Sequence, residues 1–286
     1  MNNKPKAHEI IVQQIIDGLE KGIIPWKKTW ITRWQKNLIS KENYRWFNQM
    51  LLSYIAWENS FSEYWLTYKQ IKTKEWKLKE WAIPVRICYY TTFKTGKVKK
   101  INWKEVEEEV PALRYYIVYN LSEVEWIEIP DKWEVIEPNY QEKEIISEVD
   151  KYREQENIRL CINNWEKASY SPMEDKINVP DISNFINPKY YIETLLHETI
   201  HSTGAEHRLD RKLEKTLWKE EYSREELVAE IGSAILCNEY GIDIDKQNTQ
   251  AYINSWIKFL KDKPKEIITA SNRAFKAVEF YFSKIK

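Results

Sequence analysis

Along this 286-residue chain the spacing of apolar positions changes character more than once. Over residues 7–21, Ile11, Ile15, Ile16 and Leu19 recur at helical intervals, which predicts an amphipathic helix capped by Gly22. Residues 49–57 (QMLLSYIAW) predict a second, buried helix and residues 67–74 a short one. The pattern then turns β-rich: residues 83–93 (IPVRICYYTTF) and 113–121 (LRYYIVYNL) read as strands, with a turn expected at Thr95 and Gly96. Residues 130–143 carry two prolines and mostly polar side chains, the composition of a linker. Beyond it, 144–155 predicts a helix, RLCIN and KINVP two short strands, and 189–203, 224–240 and 249–282 helices, the last interrupted at Pro264. The expected fold class is α+β in two domains, a mixed α+β domain over 1–129 and a mainly helical one over 144–286.

Charge sharpens that division. Lys+Arg and Asp+Glu number 44 each, yet residues 1–104 hold 20 basic against 8 acidic side chains and residues 105–286 hold 24 against 36. A basic first third favours a polyanionic partner, because phosphates neutralised by Lys or Arg release condensed counterions; a solvated lysine-rich face explains the charge equally well. No apolar run reaches the roughly 18 residues of a bilayer crossing, and MNNKPKAHEI lacks the apolar region of a secretion signal. Cys88, Cys161 and Cys237 form no CxxC pair. A cytoplasmic protein with no membrane partner is expected.

Tryptophan is in excess and glycine is short: 14 Trp against 6 Gly, where ordinary usage would give about 20 glycines in such a chain. Trp46, Trp76, Trp126, Trp165 and Trp218 sit in polar, turn-like surroundings in which a residue of positive φ is the usual choice. The hypothesis is that the source organism reads UGA as glycine and that these five positions are glycine in the native protein.

The segment TLLHETIHSTGAEHRLDR, residues 194–211, holds three of the four histidines. An HExxH string arises by composition in fewer than about one in a hundred such chains. On a helix, His197 and His201 lie one turn apart on one face and can reach one cation, while Glu198 reaches the water beside it. That is the division of labour in a zinc hydrolase, where Zn2+ activates water and a carboxylate moves the proton. Two third ligands are available. His207 completes HExxHxxGxxH, the metzincin string, with Gly204 as a left-handed helix cap, but no methionine follows it to build a Met-turn. The alternative lies in SREELVAEIGSAILC, where Glu226 and Glu230 edge an apolar face formed by Leu227, Ile231, Ala234 and Ile235. We assign Glu226 as third ligand and Glu230 as hydrogen-bond acceptor for a ligating histidine.

In the basic third, three clusters mix cations, amides and rings: Trp26, Lys27, Lys28 and Trp30; Tyr44, Arg45 and Asn48; and Tyr68, Lys69 and Lys72. Single-stranded DNA is held by such combinations, bases stacking on rings and phosphates on cations. A core role suits Trp26 and Trp30 equally well.

With these residues in view the chain resembles the ArdC-type antirestriction proteins of conjugative plasmids. The resemblance runs nearly end to end through IIPWKKTW, NYRWFN, YWLTYKQIK, LRYYIVYNL, YSPMEDKINVP, TLLHETIHSTGAEHRLDR, YSREELVAEIGSAILC and YINSWIKFLK. It implies a single-stranded-DNA-binding domain followed by a zincin-like metallopeptidase domain, with His197, His201 and Glu226 on the metal and Glu198 as catalytic base. It also implies glycine at the five tryptophans and a variable residue at His207. A host protein or peptide is the substrate such a domain would take. Two other functions stay open: a DNA-binding module whose zinc site is purely structural, and an accessory protein in conjugative DNA processing.

Overall fold

The computed structural model describes residues 7–28, 34–101, 104–127, 140–163, 167–213, 219–242 and 250–286, with backbone alone at 7–8, 27–28, 90–101, 104–113, 219–223 and 250–252. The chain opens with helices α1 (Ala7–Glu20) and α2 (Pro25–Lys28). It divides into one unit of Met1–Ile11 and Trp34–Asp131 and another of Val12–Arg33 and Lys132–Lys286. The segment Val12–Arg33, expected with the first domain, thus packs with the second. Its anchor is Trp26, 1% exposed and set edge-on to Trp256 at 6.3 Å. Burial of that ring corrects its assignment as a stacking platform for DNA: the indole serves the core.

In the first unit, a four-stranded sheet has the order β1 (Lys36–Asn37), β2 (Tyr64–Thr67), β5 (Lys104–Asn120), β4 (Val85–Ile101). Helix α3 (Trp46–Glu58) buries Phe47, Met50, Leu51, Leu52, Tyr54 and Ile55. Helix α4 (Tyr68–Thr73) starts at a capping box in which the Thr67 hydroxyl accepts from the Gln70 backbone and Gln70 Oε1 accepts from the Thr67 backbone. A two-stranded ribbon joins β3 (Lys77–Leu78) to β6 (Val124–Glu125). The turn expected at Thr95 and Gly96 is a register shift inside β4, and the β4–β5 hairpin runs on past it to Ile101 opposite Lys104. Its register sets Lys94 opposite Glu109 and Lys100 opposite Glu105.

The second unit continues with α5 (Glu142–Glu156), ended by the left-handed Asn157. Three strands follow, β7 (Arg159–Asn163), β8 (Ser169–Ser171) and β9 (Lys176–Pro180), arranged β7-β9-β8 with β8 antiparallel to β9. Then come α6 (Pro188–Ser202), α7 (Lys219–Glu239), α8 (Gln250–Asp262) and α9 (Glu266–Ile285). Helix α6 begins where Asn187 caps the Lys189 amide and Pro188 presets the first turn. It packs against β8, β9, α5 and α7.

Two of the five suspect tryptophans sit in left-handed backbone: Trp46 at φ 56° and Trp126 at φ 66°. Trp126 is 75% exposed, and the Trp46 indole nitrogen is buried with no acceptor among the described residues. At Trp76 the left-handed residue is its neighbour Glu75, and Trp76 packs against the core of Leu38, Tyr64, Leu66 and Ile71. Trp165 and Trp218 lie outside the described residues. A side chain in this conformation costs about 1 kcal/mol that glycine avoids. Trp46→Gly and Trp126→Gly are therefore each expected to raise the unfolding free energy measured in urea, by about 1 kcal/mol at Trp126; lower stability in both would argue that tryptophan is native there.

Candidate metal centre

Helices α6 and α7 bring the chemistry together. On α6, Tyr191, Ile192, Leu195, Leu196, Thr199 and Ile200 are buried, and on α7 Leu227, Val228, Ala229 and Ile231. The two helices touch at Gly232, where a Cβ would stand 2.9 Å from the Ile200 side chain. Any larger residue would push α7 outward, away from the histidines of α6.

His197 and His201 face each other, with 3.1 Å between their Nε2 atoms. Glu226 reaches both, Oε2 at 3.6 Å from His197 Nε2 and Oε1 at 3.4 Å from His201 Nε2. A tetrahedral centre with bonds of 2.0–2.1 Å has edges of about 3.3–3.4 Å, so these spacings are those of ligands around one small divalent cation. Among the described residues this trio is the cluster able to hold a metal. Glu198 stands beside it, 7% exposed, and the Tyr170 amide of β8 donates to its carboxylate. Burial raises the Glu198 pKa, the two histidines pull it down, and Glu226 pushes it up again.

The cluster is built for positive charge. Burial disfavours a charged His201, yet its bonds to Glu225 and Glu226 and the charge of Glu198 outweigh burial and lift its pKa to about 10. Burial likewise works against an ionised Glu226, but both histidines hold its pKa well below the carboxylate range. Protons or a metal cation satisfy the same field.

The residue that orients His201 is Glu225, whose Oε1 lies 3.2 Å from His201 Nδ1. A carboxylate only accepts, so a proton on Nδ1 faces Glu225 and Nε2 is the nitrogen turned toward His197 and Glu226. The expectation gave this role to Glu230; for His201 it falls to the residue preceding the ligand. Gly204 is not a left-handed cap: its φ is not positive, and its lack of a Cβ admits Arg211, whose Cζ would lie 2.8 Å from one. His207 is 60% exposed and its Nε2 lies 3.3 Å from Asp175, which removes it from the ligand set. Next to it Arg208 is fully buried. It bonds Asp175 (2.9 and 2.7 Å), Glu156 (3.0 Å) and the Ser202 carbonyl (3.0 Å), pinning α5 and the β8–β9 turn to the end of α6.

In the first unit, Asn37 and Gln70 exchange side-chain hydrogen bonds at 3.1 and 3.0 Å, tying the loop that carries Lys36 and Lys41 to α4 with Lys69 and Lys72. Lys36 and Lys41 lie 5.0 and 5.6 Å from the centre of the Tyr64 ring, and Lys72 lies 5.6 Å from that of Tyr68, which is half exposed. Tyr44 is partly buried against Asn37 and Arg45 is exposed. Asn48 is spent on the backbone of Cys88, donating to its carbonyl at 2.6 Å and accepting from its amide at 2.9 Å. That corrects its assignment as a DNA contact, since its amide is already used to hold β4. Trp30 and the side chains of Lys27 and Lys28 lie outside the described residues.

Fold and site together define a zincin-like metallopeptidase domain behind a separate α+β domain. Residues 147–273 match the zincin-like metallopeptidase family and residues 5–119 the N-terminal domain of the anti-restriction factor ArdC. Crystal structures of the antirestriction ArdC protein from the R388 plasmid, metal-free and Mn(II)-bound, superpose with TM-scores of 0.73 and 0.75 at 26% identity, covering 98% of both chains. DNA primase TraC of Escherichia coli is 29% identical over 295 residues, and this chain spans only 27% of its length. An uncharacterized protein of Sinorhizobium fredii is 26% identical over 93% of this chain and 88% of its own. The chain is an ArdC-type protein.

If Glu226 closes the coordination sphere, Glu226→Ala should lose stoichiometric divalent metal, measured by elemental analysis after gel filtration, while His207→Ala retains it. The reverse pattern would return His207 to the ligand set.

Proposed function

We propose that this chain is a single-stranded-DNA-binding antirestriction protein whose second unit is a zinc metallopeptidase. The observation that carries the enzymatic half is the convergence of His197, His201 and Glu226 with a buried carboxylate, Glu198, beside them. Two imidazoles and a carboxylate suit Zn2+. Bound there, the ion would supply Lewis acidity, polarising a scissile carbonyl and lowering the pKa of water. The chain supplies the proton traffic. Glu198 takes a proton from the attacking water and passes it to the leaving amine, and burial, by raising its proton affinity, suits it to both halves of that exchange. The Tyr170 amide holds the carboxylate in place meanwhile.

Protection of incoming DNA is supported by likeness along 98% of the chain to an antirestriction protein. DNA binding is supported by the cations Lys36 and Lys41 at the Tyr64 ring and Lys72 at the half-exposed Tyr68 ring, with Lys69 on the same short helix as Lys72. A second reading, an accessory role in DNA processing, draws on the similarity to a DNA primase, of which this chain spans about a quarter.

Glu198→Gln should keep its metal and lose peptide hydrolysis by about 100- to 10,000-fold, measured on a fluorogenic peptide library. A zinc-loaded wild type that cleaves no peptide would leave the site structural. Replacing Lys36, Lys41, Lys69 and Lys72 together by alanine should flatten the salt dependence of oligo-dT binding by up to about three units of log K against log salt, at about 0.7 per phosphate contact. An unchanged slope, read by fluorescence anisotropy, would place the DNA elsewhere.

A further inference from the structure

We propose that Arg211 is a positioning residue for the metal centre: acting through Glu225, it fixes the orientation and tautomer of His201 and so sets the affinity of the site for its cation. The proposal rests on the reading of His197, His201 and Glu226 as the ligands.

The geometry forms a closed ring. Arg211 Nε donates to both Glu225 oxygens (3.2 and 3.0 Å) and Nη2 donates to Oε1 at 2.8 Å. The same Oε1 faces His201 Nδ1. On its other side the guanidinium grips the last turn of α6: Nη2 donates to the carbonyls of Ile200 (2.7 Å) and His201 (3.4 Å), and Nη1 to the Thr203 hydroxyl (2.7 Å). Arg211 is thus bonded both to the backbone of the ligand-bearing turn and to the carboxylate that orients the ligand. A free glutamate could meet an imidazole from many rotamers; one whose two oxygens are both engaged by a fork cannot. The guanidinium side chain is 4% exposed and that of Glu225 is 8% exposed, so water does not replace these bonds cheaply.

Charge balance requires the same residue. Arg211 neutralises Glu225, which leaves Glu226 and Glu198 as the two acids facing a divalent cation. Without Arg211 the Glu225 carboxylate would stand buried with neither oxygen held, and would be free to leave His201 Nδ1. Lysine would not serve, since a single ammonium cannot hold two carboxylate oxygens, two carbonyls and a hydroxyl in fixed directions. Gly204 completes the device. A Cβ there would stand 2.8 Å from Cζ and Nη2 of the guanidinium, closer than packing allows, so its absence admits the arginine.

The test titrates the metal-stripped full chain with Co2+ alone, following the visible d–d bands, with far-UV circular dichroism as a control for folding. Arg211→Met, Arg211→Lys and Gly204→Ala should each weaken Co2+ binding by about 10- to 100-fold and shift the d–d bands. The double variant Arg211→Met with Glu225→Ala should be no weaker than the worse single one, because both act along one path. Gly204→Ala keeps every bonding group, so it tests the idea even where Arg211→Met does not fold. Folded variants that bind Co2+ within twofold of wild type, or effects that simply add, would overturn the proposal and leave Arg211 a structural clamp. Failure of wild type itself to bind Co2+ would overturn it too, by removing the ligand assignment on which it rests, and that outcome is read before any variant is made.

Discussion

Three carboxylates sit between α6 and α7, and buried charge without a counter-charge is costly. Glu198, Glu225 and Glu226 lie on the helices that also bury Leu196, Ile200, Leu227 and Ile231. Each acid has a different neutraliser. Glu225 has Arg211, Glu226 has the two imidazoles, and Glu198 lies in their combined field. The helices close on these charges only because Gly232 lets Ile200 come near, and positive groups meet the acids from α6 and from the loop after it. Packing and charge here are one constraint, since separating the helices would undo both.

Much of this was legible from spacing. Helical periodicity predicted α1, α3, α6 and α7 to within a few residues, and the four-residue interval of His197 and His201 placed both rings on one face. Glu226 was reachable because an acid at the edge of an apolar helix needs a partner. Other features had no local signal. Glu225 precedes Glu226 in sequence and reads as one more acid of a charged turn; what distinguishes it is Arg211, fourteen residues earlier and brought back by a loop. Gly204 reads as a helix cap because glycine after a helix commonly is one, yet its role is to make room for a guanidinium. Trp26 could face solvent or core, and its partner Trp256 lies 230 residues away, beyond any periodicity argument. Strand β8 has three residues, too few to alternate, and residues 104–109 at the far end of the β4–β5 hairpin show no alternation of apolar and polar positions.

The first unit separates similarly into what is spent and what is free. Asn48 and Asn37, equivalent by composition, diverge in the fold: one holds the edge of β4 through Cys88, the other locks a loop to α4 through Gln70. Lys36 and Lys41 lie at the Tyr64 ring and Lys72 at the Tyr68 ring, on the elements that the Asn37–Gln70 pair joins. Trp46 and Trp126 stand apart, bulky side chains on backbone that glycine fits best, and the shortage of glycine in the whole chain has the same direction.

The eight residues from Gly204 to Arg211 explain why a metzincin-like string yields a different site. Arg208 must turn fully inward to satisfy Glu156, Asp175 and the Ser202 carbonyl, and Arg211 must turn inward to satisfy Glu225. With the neighbouring arginine committed to the interior beneath the β8–β9 turn, His207 is directed outward to the rim of the same Asp175. The position that would offer a third imidazole is therefore set by the burial of the Arg208 side chain, and the acid that stands with His197 and His201 comes from α7. In this fold the loop is turned away from the cluster; it holds in register the helices that carry His197, His201 and Glu226.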